Sequence, residues 1–244
     1  MAIKKVLSTF GLIVTLVSSG GIVAQNTTPA MARFLPVDGD WSNPSIDGTN
    51  TQRWYTVGLV NGRSYCAITV PHPDATDVFV DTVTDVYSDN AGTVLVINND
   101  DSFNEPVSWR FSRACFIYSA ATSLVAKLKV SLLGPIPAGI TPVRFKIVDT
   151  ALNGPWFFVE SALSYNAFIE IGNTTNTSVT VTVTIRNSVG ATIGTPQTVA
   201  IAAYGNTALD VVNSFGTTVA SGSGSVQIAH NGAPGAIVAN VTTL

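Results

Sequence analysis

The chain has 244 residues, of which 46% are hydrophobic and 11% are charged, against roughly 25% charged residues in a typical soluble protein. Its net charge of −3 argues against a nucleic-acid partner, which would need clustered Lys and Arg. The hydrophobic content excludes a disordered chain. Two His and two Cys are too few for a His-rich or Cys-rich metal site.

Residues 1–24 have the layout of a secretory signal peptide. Lys4 and Lys5 precede an apolar run over residues 6–17, and small residues follow up to Ala24. This run of about twelve residues is shorter than the ~20 that a membrane-spanning helix needs. We predict cleavage after Ala24, or alternatively after Ala32. The mature protein is then expected to be secreted, extracellular or at the cell surface (with the periplasm as the alternative), and to have no membrane span.

Export determines how the two cysteines, Cys66 and Cys115, are interpreted. In an oxidising compartment we expect them to form one disulfide. A closed loop of about 50 residues would stabilise the fold by about 4 kcal/mol in the chain-entropy model. The alternative is a nucleophilic cysteine, which would need His72 as its partner.

The charge density changes sharply along the chain. Residues 33–149 carry nine Lys or Arg and twelve Asp or Glu, whereas residues 150–244 carry one Arg and three acids. This change predicts two domains, 33–149 and 150–244. Short runs rich in Val, Ile, Thr and aromatic residues recur at intervals of roughly 8–12 residues, which predicts an all-β protein of two consecutive β-sandwiches, immunoglobulin-like or jelly-roll-like. A helix over residues 120–129 competes with a strand over 125–133.

The second half has the clearest strand pattern. Between residues 179 and 185, Val and Ile alternate with Thr, as in a strand with one buried face. Arg186 follows as a charge that would discourage aggregation of this segment. Six more strands are predicted, over residues 157–160, 168–171, 198–201, 208–212, 225–228 and 237–241.

Several segments of the first half follow one another in the order of a known family. They are Trp54-Tyr55-Thr56-Val57, Asn61-Gly62-Arg63-Ser64-Tyr65, the run from Val94 to Asp101, Val107-Ser108-Trp109-Arg110-Phe111 and Cys115-Phe116-Ile117-Tyr118. This order resembles the bacterial pre-peptidase C-terminal domain over residues 38–148. The resemblance implies a small β-sandwich of the kind found on many secreted proteins. The stretch 120–142 departs from the family because it is longer and more apolar.

The second half is similar to the immunoglobulin-like modules of large bacterial surface proteins. The similarity is carried by Gly154-Pro155-Trp156-Phe157-Phe158-Val159-Glu160, by residues 167–173 and by residues 235–240. It implies a non-catalytic spacer, stalk or binding unit.

Oxygen-bearing side chains flank the predicted strand over residues 94–97 and suggest calcium as a cofactor. Asp81, Asp85 and Asp89 precede this strand, and Asn98, Asp100 and Asp101 follow it. Calcium is bound by six to eight oxygen atoms. The alternative is turn chemistry, which also favours Asn and Asp.

Aromatic residues provide the second candidate site, since exposed rings can stack on sugars. The set comprises Trp41, Trp54, Trp109, Trp156, Phe157 and Phe158. Trp in a β-sandwich commonly fills the core. Trp41 is the predicted ligand-binding residue, because it lies in a segment rich in turn residues.

The search for catalytic motifs favours a protein that is not an enzyme. There is no G-x-S-x-G element, and His72 and His230 are the only histidines. The predicted function is a secreted, non-catalytic structural or binding module; the alternatives are a polysaccharide-binding accessory protein and, third, an uncharacterised hydrolase. The expected partner is a cell-surface or matrix protein or a polysaccharide. The weakly charged second half also predicts self-association.

Overall fold

The computed structural model of the protein describes residues 26–46, 50–73, 81–101, 110–120, 125–133, 141–216 and 218–244. The predicted signal peptide over residues 1–24 lies outside these ranges. Strands account for 58% and helices for 3% of the described residues, which confirms the all-β prediction. The helical part consists of two short 3-10 turns, Pro29–Met31 and Ser161–Leu163.

The first nine strands form one sandwich, here called the N-terminal sandwich. They are β1 Arg33–Phe34, β2 Ser45–Ile46, β3 Gln52–Gly58, β4 Ser64–Pro71, β5 Thr82–Tyr87, β6 Leu95–Asn99, β7 Arg113–Ile117, β8 Val125–Leu132 and β9 Thr141–Asp149. Over the described residues, one sheet has the order β1-β3-β8-β5-β6 and the other the order β2-β9-β4-β7. All neighbours are antiparallel except β1 and β3.

Strand β8 replaces the helix predicted over residues 120–129, and that prediction is wrong for its described part. Ala126, Leu128 and Val130 alternate along β8 and are fully buried. This period-two burial belongs to a strand, and the competing strand prediction is confirmed.

The predicted disulfide between Cys66 and Cys115 is present. The two residues lie directly opposite each other on β4 and β7, which are adjacent antiparallel strands. The disulfide therefore ties two strands of the four-stranded sheet together, across 49 residues of sequence.

The remaining seven strands form the C-terminal sandwich. They are β10 Leu152–Glu160, β11 Ala167–Asn173, β12 Val179–Asn187, β13 Thr192–Ile201, β14 Asn206–Asp210, β15 Ser221–His230 and β16 Ile237–Thr243. Within the described residues, one sheet has the order β10-β15-β12-β13 and the other the order β14-β11-β16. Each of the seven strands predicted in this half overlaps one of these.

The two sandwiches have separate apolar cores and meet at a small contact. One core is built from residues between Leu35 and Ile147, the other from residues between Phe157 and Ile237. At the contact, Cys66 Sγ lies 3.5 Å from the carbonyl oxygen of Gly232. Among the described residues, no helix has the length and apolar character that a membrane crossing requires.

Candidate functional site

Strand β10 places aromatic side chains on both faces of its sheet. Phe157 and Val159 point into the core and are fully buried, whereas Trp156 is 56% exposed and Phe158 is half-buried. The pairing of β10 with β15 shifts register between Gly154 and Phe157. This bulge allows Gly154 and Phe157, three positions apart, both to face the core, and it places Trp156 outside.

Three rings form a continuous row on this outer surface, here called the aromatic row. The ring centroids of Trp156 and Phe158 are 6.0 Å apart with planes inclined by 13°, and those of Phe158 and Tyr165 are 6.2 Å apart. Tyr165 is held there by paired backbone hydrogen bonds with Glu160, of 3.0 and 3.1 Å. Trp156 and Tyr165 are exposed and Phe158 is half-buried, and the Tyr165 ring is tilted by 58° against that of Phe158.

An open cavity of about 470 Å³ adjoins the row between β10 and β16, the edge strands of the two sheets. Trp156 is part of its wall. Asn153 and Asn240 contribute amide groups to it, while Leu152 and Val241 contribute apolar surface. The site thus combines aromatic faces, amides and a concave surface.

The outer face of the four-stranded sheet that contains β10 is polar and nearly uncharged. The hydroxyls of Thr182 and Thr198 lie 3.1 Å apart. Arg186 donates to the Thr192 hydroxyl at 3.3 Å and to the Gln227 side chain at 3.4 Å. The sheet beside the row therefore offers hydroxyl and amide groups to a ligand.

The other aromatic candidates have different environments. Trp54 is buried and stacks on Tyr87, with ring centroids 5.3 Å apart. Trp109 lies outside the described residues. Trp41 is half-buried, and the cationic groups of Arg144 and Lys146 lie 4.9 and 4.6 Å from its ring centroid.

Three of the residues predicted to bind calcium, Asp85, Asp89 and Asn98, make hydrogen bonds or ion pairs within the protein. The carboxylate of Asp89 accepts hydrogen bonds from the backbone amides of Val94, Thr93 and Ala91, and the Val94 bond contributes most to lowering the pKa of Asp89 to about 2. Asp85 forms an ion pair with Lys129 and accepts a 2.5 Å hydrogen bond from the amide of Asn98. Asp89 thus has the role of a turn residue, which was the alternative to calcium binding.

Asp81 lies in a different environment from Asp85 and Asp89. Burial, followed by the charge of Asp101 and, more weakly, that of Asp100, raises the pKa of Asp81. Within the described ranges, no three His, Cys, Asp or Glu residues are close enough together to hold a metal ion. The five predicted aspartate ligands therefore do not form such a group.

The two histidines lie in different sandwiches. His72 directly follows β4, and His230 ends β15 with 1% of its surface exposed. Burial lowers the pKa of His230, and the backbone of Thr150 and Gly232 opposes that shift through hydrogen bonding. Both cysteines are in the disulfide, so neither is a free nucleophile.

Neither the family models nor the curated proteins include a match to this chain. Trp156 and Phe158 are among the aromatic candidates predicted from the sequence, whereas Tyr165 is not. The alternation of side chains along β10 could have predicted that Phe157 faces the core and that its neighbours face outward. Tyr165 follows a 3-10 turn, so no strand or helix periodicity predicts its position.

Proposed function

We propose that this protein is a secreted, non-catalytic binding module of the cell surface or the extracellular space, and that it binds polysaccharide. The observation that carries the proposal is the aromatic row of Trp156, Phe158 and Tyr165. The family resemblances of the two halves, both to domains of secreted or surface proteins, agree with the location.

The row matches the chemistry of a sugar chain. A pyranose ring has an apolar face of C–H groups, which can pack on an aromatic face, and a rim of hydroxyl groups. The amides of Asn153 and Asn240 lie beside the row and can exchange hydrogen bonds with those hydroxyls. Three rings about 6 Å apart suit an extended chain better than a single sugar.

Exposure of these rings has an energetic cost that a ligand would remove. Burying apolar surface is worth roughly 25 cal/mol per Å². A contiguous apolar patch with a polar rim is typical of a binding surface rather than of ordinary solvent-facing protein. Aromatic residues also dominate the energetics of known binding sites.

The experiment is affinity electrophoresis of the mature chain in gels containing dextran, mannan or xylan. We expect at least one polysaccharide to retard the protein, and Trp156→Ala to weaken that binding at least about tenfold, as loss of an aromatic anchor does. Tyr204→Ala is the matched control, because Tyr204 is 74% exposed at a turn away from the row.

Two results would count against the proposal. One is that no polysaccharide retards the wild-type protein, which would favour a purely structural role. The other is equal retardation of the Trp156→Ala and Tyr204→Ala variants, which would place any sugar site elsewhere.

A further inference from the structure

The outer face of the four-stranded sheet of the N-terminal sandwich carries a cluster of cations around Trp41. Along β9, Val143, Phe145 and Ile147 are buried, so Arg144 and Lys146 point away from the core. Ser42 exchanges two 2.8 Å backbone hydrogen bonds with Phe145, which fixes Trp41 beside these cations.

A third cation lies on the same face. In the strand register, Lys146 of β9 is opposite Ile68 of β4, and Ile68 is opposite Arg113 of β7. Directly opposed residues in an antiparallel pair point to the same side. The three cations therefore share a face with Trp41 and Ile68.

Arg144 and Lys146 are not neutralised within the described part of the chain. Neither cation belongs to the ion pairs seen there between Arg63 and Asp149 and between Lys129 and Asp85. Asp40, next to Trp41 in sequence, pairs with neither cation in the described structure. In addition, Nε of Arg144 is buried without a hydrogen-bond partner.

This arrangement contrasts with the charge of the whole molecule. The chain has a net charge of −3, so overall charge would repel an anion. Two cations held within 5 Å of the same ring instead provide a local positive potential beside an aromatic surface. Such a pairing offers charge and apolar contact to a single ligand.

We propose that Trp41, Arg144 and Lys146 form a second binding site, which takes an acidic sugar of a polysaccharide. The cations bind the carboxylate or sulfate group, and Trp41 packs against the sugar ring to which that group is attached. This proposal rests on the proposed function, since it assumes that the ligand is a polysaccharide. It adds that the polysaccharide is anionic and that both sandwiches contact it.

The test compares three probes with the mature protein: polygalacturonate, dextran sulfate and neutral dextran. We expect Arg144→Gln and Lys146→Gln each to weaken binding to an anionic probe by at least about tenfold, the usual effect of losing one hydrogen bond to a charged group. Arg33→Gln is the control, because it removes one exposed positive charge from the other sheet. Melting temperatures establish that each variant is folded.

Salt and small anions provide the second measurement. Binding to the anionic probe should weaken between about 0.05 and about 0.5 M NaCl, because salt screens exposed charges. Excess inorganic sulfate distinguishes the ligand sources. If sulfate at the same concentration of anionic groups displaces the polymer, the site binds a free anion and the proposal is overturned.

The outcomes separate this proposal from the previous one. It is also overturned if neither anionic probe binds, or if Arg144→Gln and Lys146→Gln bind them as Arg33→Gln does. If those two variants lose anionic binding while Trp156→Ala keeps it, the cationic site stands and the aromatic row does not. If only Trp156→Ala loses binding, the reverse holds.

Discussion

The two sandwiches have the same layered architecture, but different interactions stabilise them. The N-terminal sandwich contains the disulfide, both described ion pairs and a buried cluster of hydroxyl groups. The C-terminal sandwich has a core of Val, Ile and Phe side chains, supplied by strictly alternating strands such as β12. A buried polar group costs stability when it lacks a hydrogen-bond partner, whereas a buried apolar side chain has no such requirement.

The difference extends to the surfaces that we propose as binding sites. The sparsely charged C-terminal half presents aromatic rings beside hydroxyls and amides, while the charged N-terminal half presents an aromatic ring beside cations. Interactions of the first surface should be insensitive to salt, and those of the second should be sensitive. The comparison thus predicts different responses to the same perturbations.

The largest effect should come from the core of the C-terminal sandwich. Phe157→Ala is expected to lower the free energy of unfolding by about 3–5 kcal/mol, because it opens a cavity in an apolar core. Phe158→Ala, on the outer face, should cost much less and should impair polysaccharide binding instead. Scanning calorimetry of both variants measures this contrast. Similar destabilisation by the two substitutions would contradict the assignment of inner and outer faces.

Removal of the disulfide should affect mainly the N-terminal sandwich. The double variant Cys66→Ser with Cys115→Ser is expected to lose about 2–4 kcal/mol of stability, since the unfolded chain gains conformational freedom. The C-terminal sandwich should keep its own unfolding transition, because its core is separate. If calorimetry shows that both transitions move down equally, the two sandwiches unfold as one cooperative unit and the comparison fails.

A cluster of buried hydroxyl groups in the N-terminal sandwich consists of Thr69, Thr82, Thr84 and Ser112. Its removal tests whether buried polar groups contribute to the stability of this core. Ser112 lies 2.5 Å from the Thr84 hydroxyl and 3.1 Å from the Thr69 hydroxyl, and all three residues are buried. Ser112→Ala should cost about 1–3 kcal/mol, because it removes the hydroxyl that the buried Thr84 hydroxyl is bonded to. Chemical denaturation measures the loss. A neutral effect would mean that Thr69, Thr82 and Thr84 satisfy one another without Ser112.

Sequence periodicity predicted the strands of the C-terminal sandwich, but it did not predict the contacts between side chains on its surface. The alternation over residues 179–185 became β12 because one face of that strand packs on a core. Tyr165 escaped prediction because a turn, with Ser164 at φ 63°, brings it to Phe158. Contacts between residues on different elements leave no periodic signal.

In the N-terminal half, the abundance of Asp and Asn around residues 94–97 did not predict how these side chains are placed in the fold. Asp85 and Asp89 lie close in sequence, but Asp85 faces Lys129 across the β5–β8 pairing and Asp89 closes its own turn. The sequence likewise indicated Trp41 as a ligand-binding residue but not the cations beside it. Its cations come from β9, far along the sequence, and the pairing of Ser42 with Phe145 brings them together.

The smallest effect concerns pH and involves His230, at the contact between the sandwiches. Burial is the largest cause of its lowered pKa, and the opposing contributions come from backbone hydrogen bonds to Thr150 and Gly232. Below the ordinary histidine pKa of 6.5, the unfolded chain therefore binds more protons than the folded protein. Stability should fall as the pH drops below that value, by at most about 1.4 kcal/mol per pH unit.

His230→Gln provides the control, because it removes the titrating group. The melting temperature of the C-terminal transition should decline between pH 6.5 and 5.5 in the wild type, and less in the variant. Carboxylates contribute mainly at lower pH, since their ordinary pKa values lie near 4. A decline of equal size in wild type and variant would assign the pH dependence to groups other than His230.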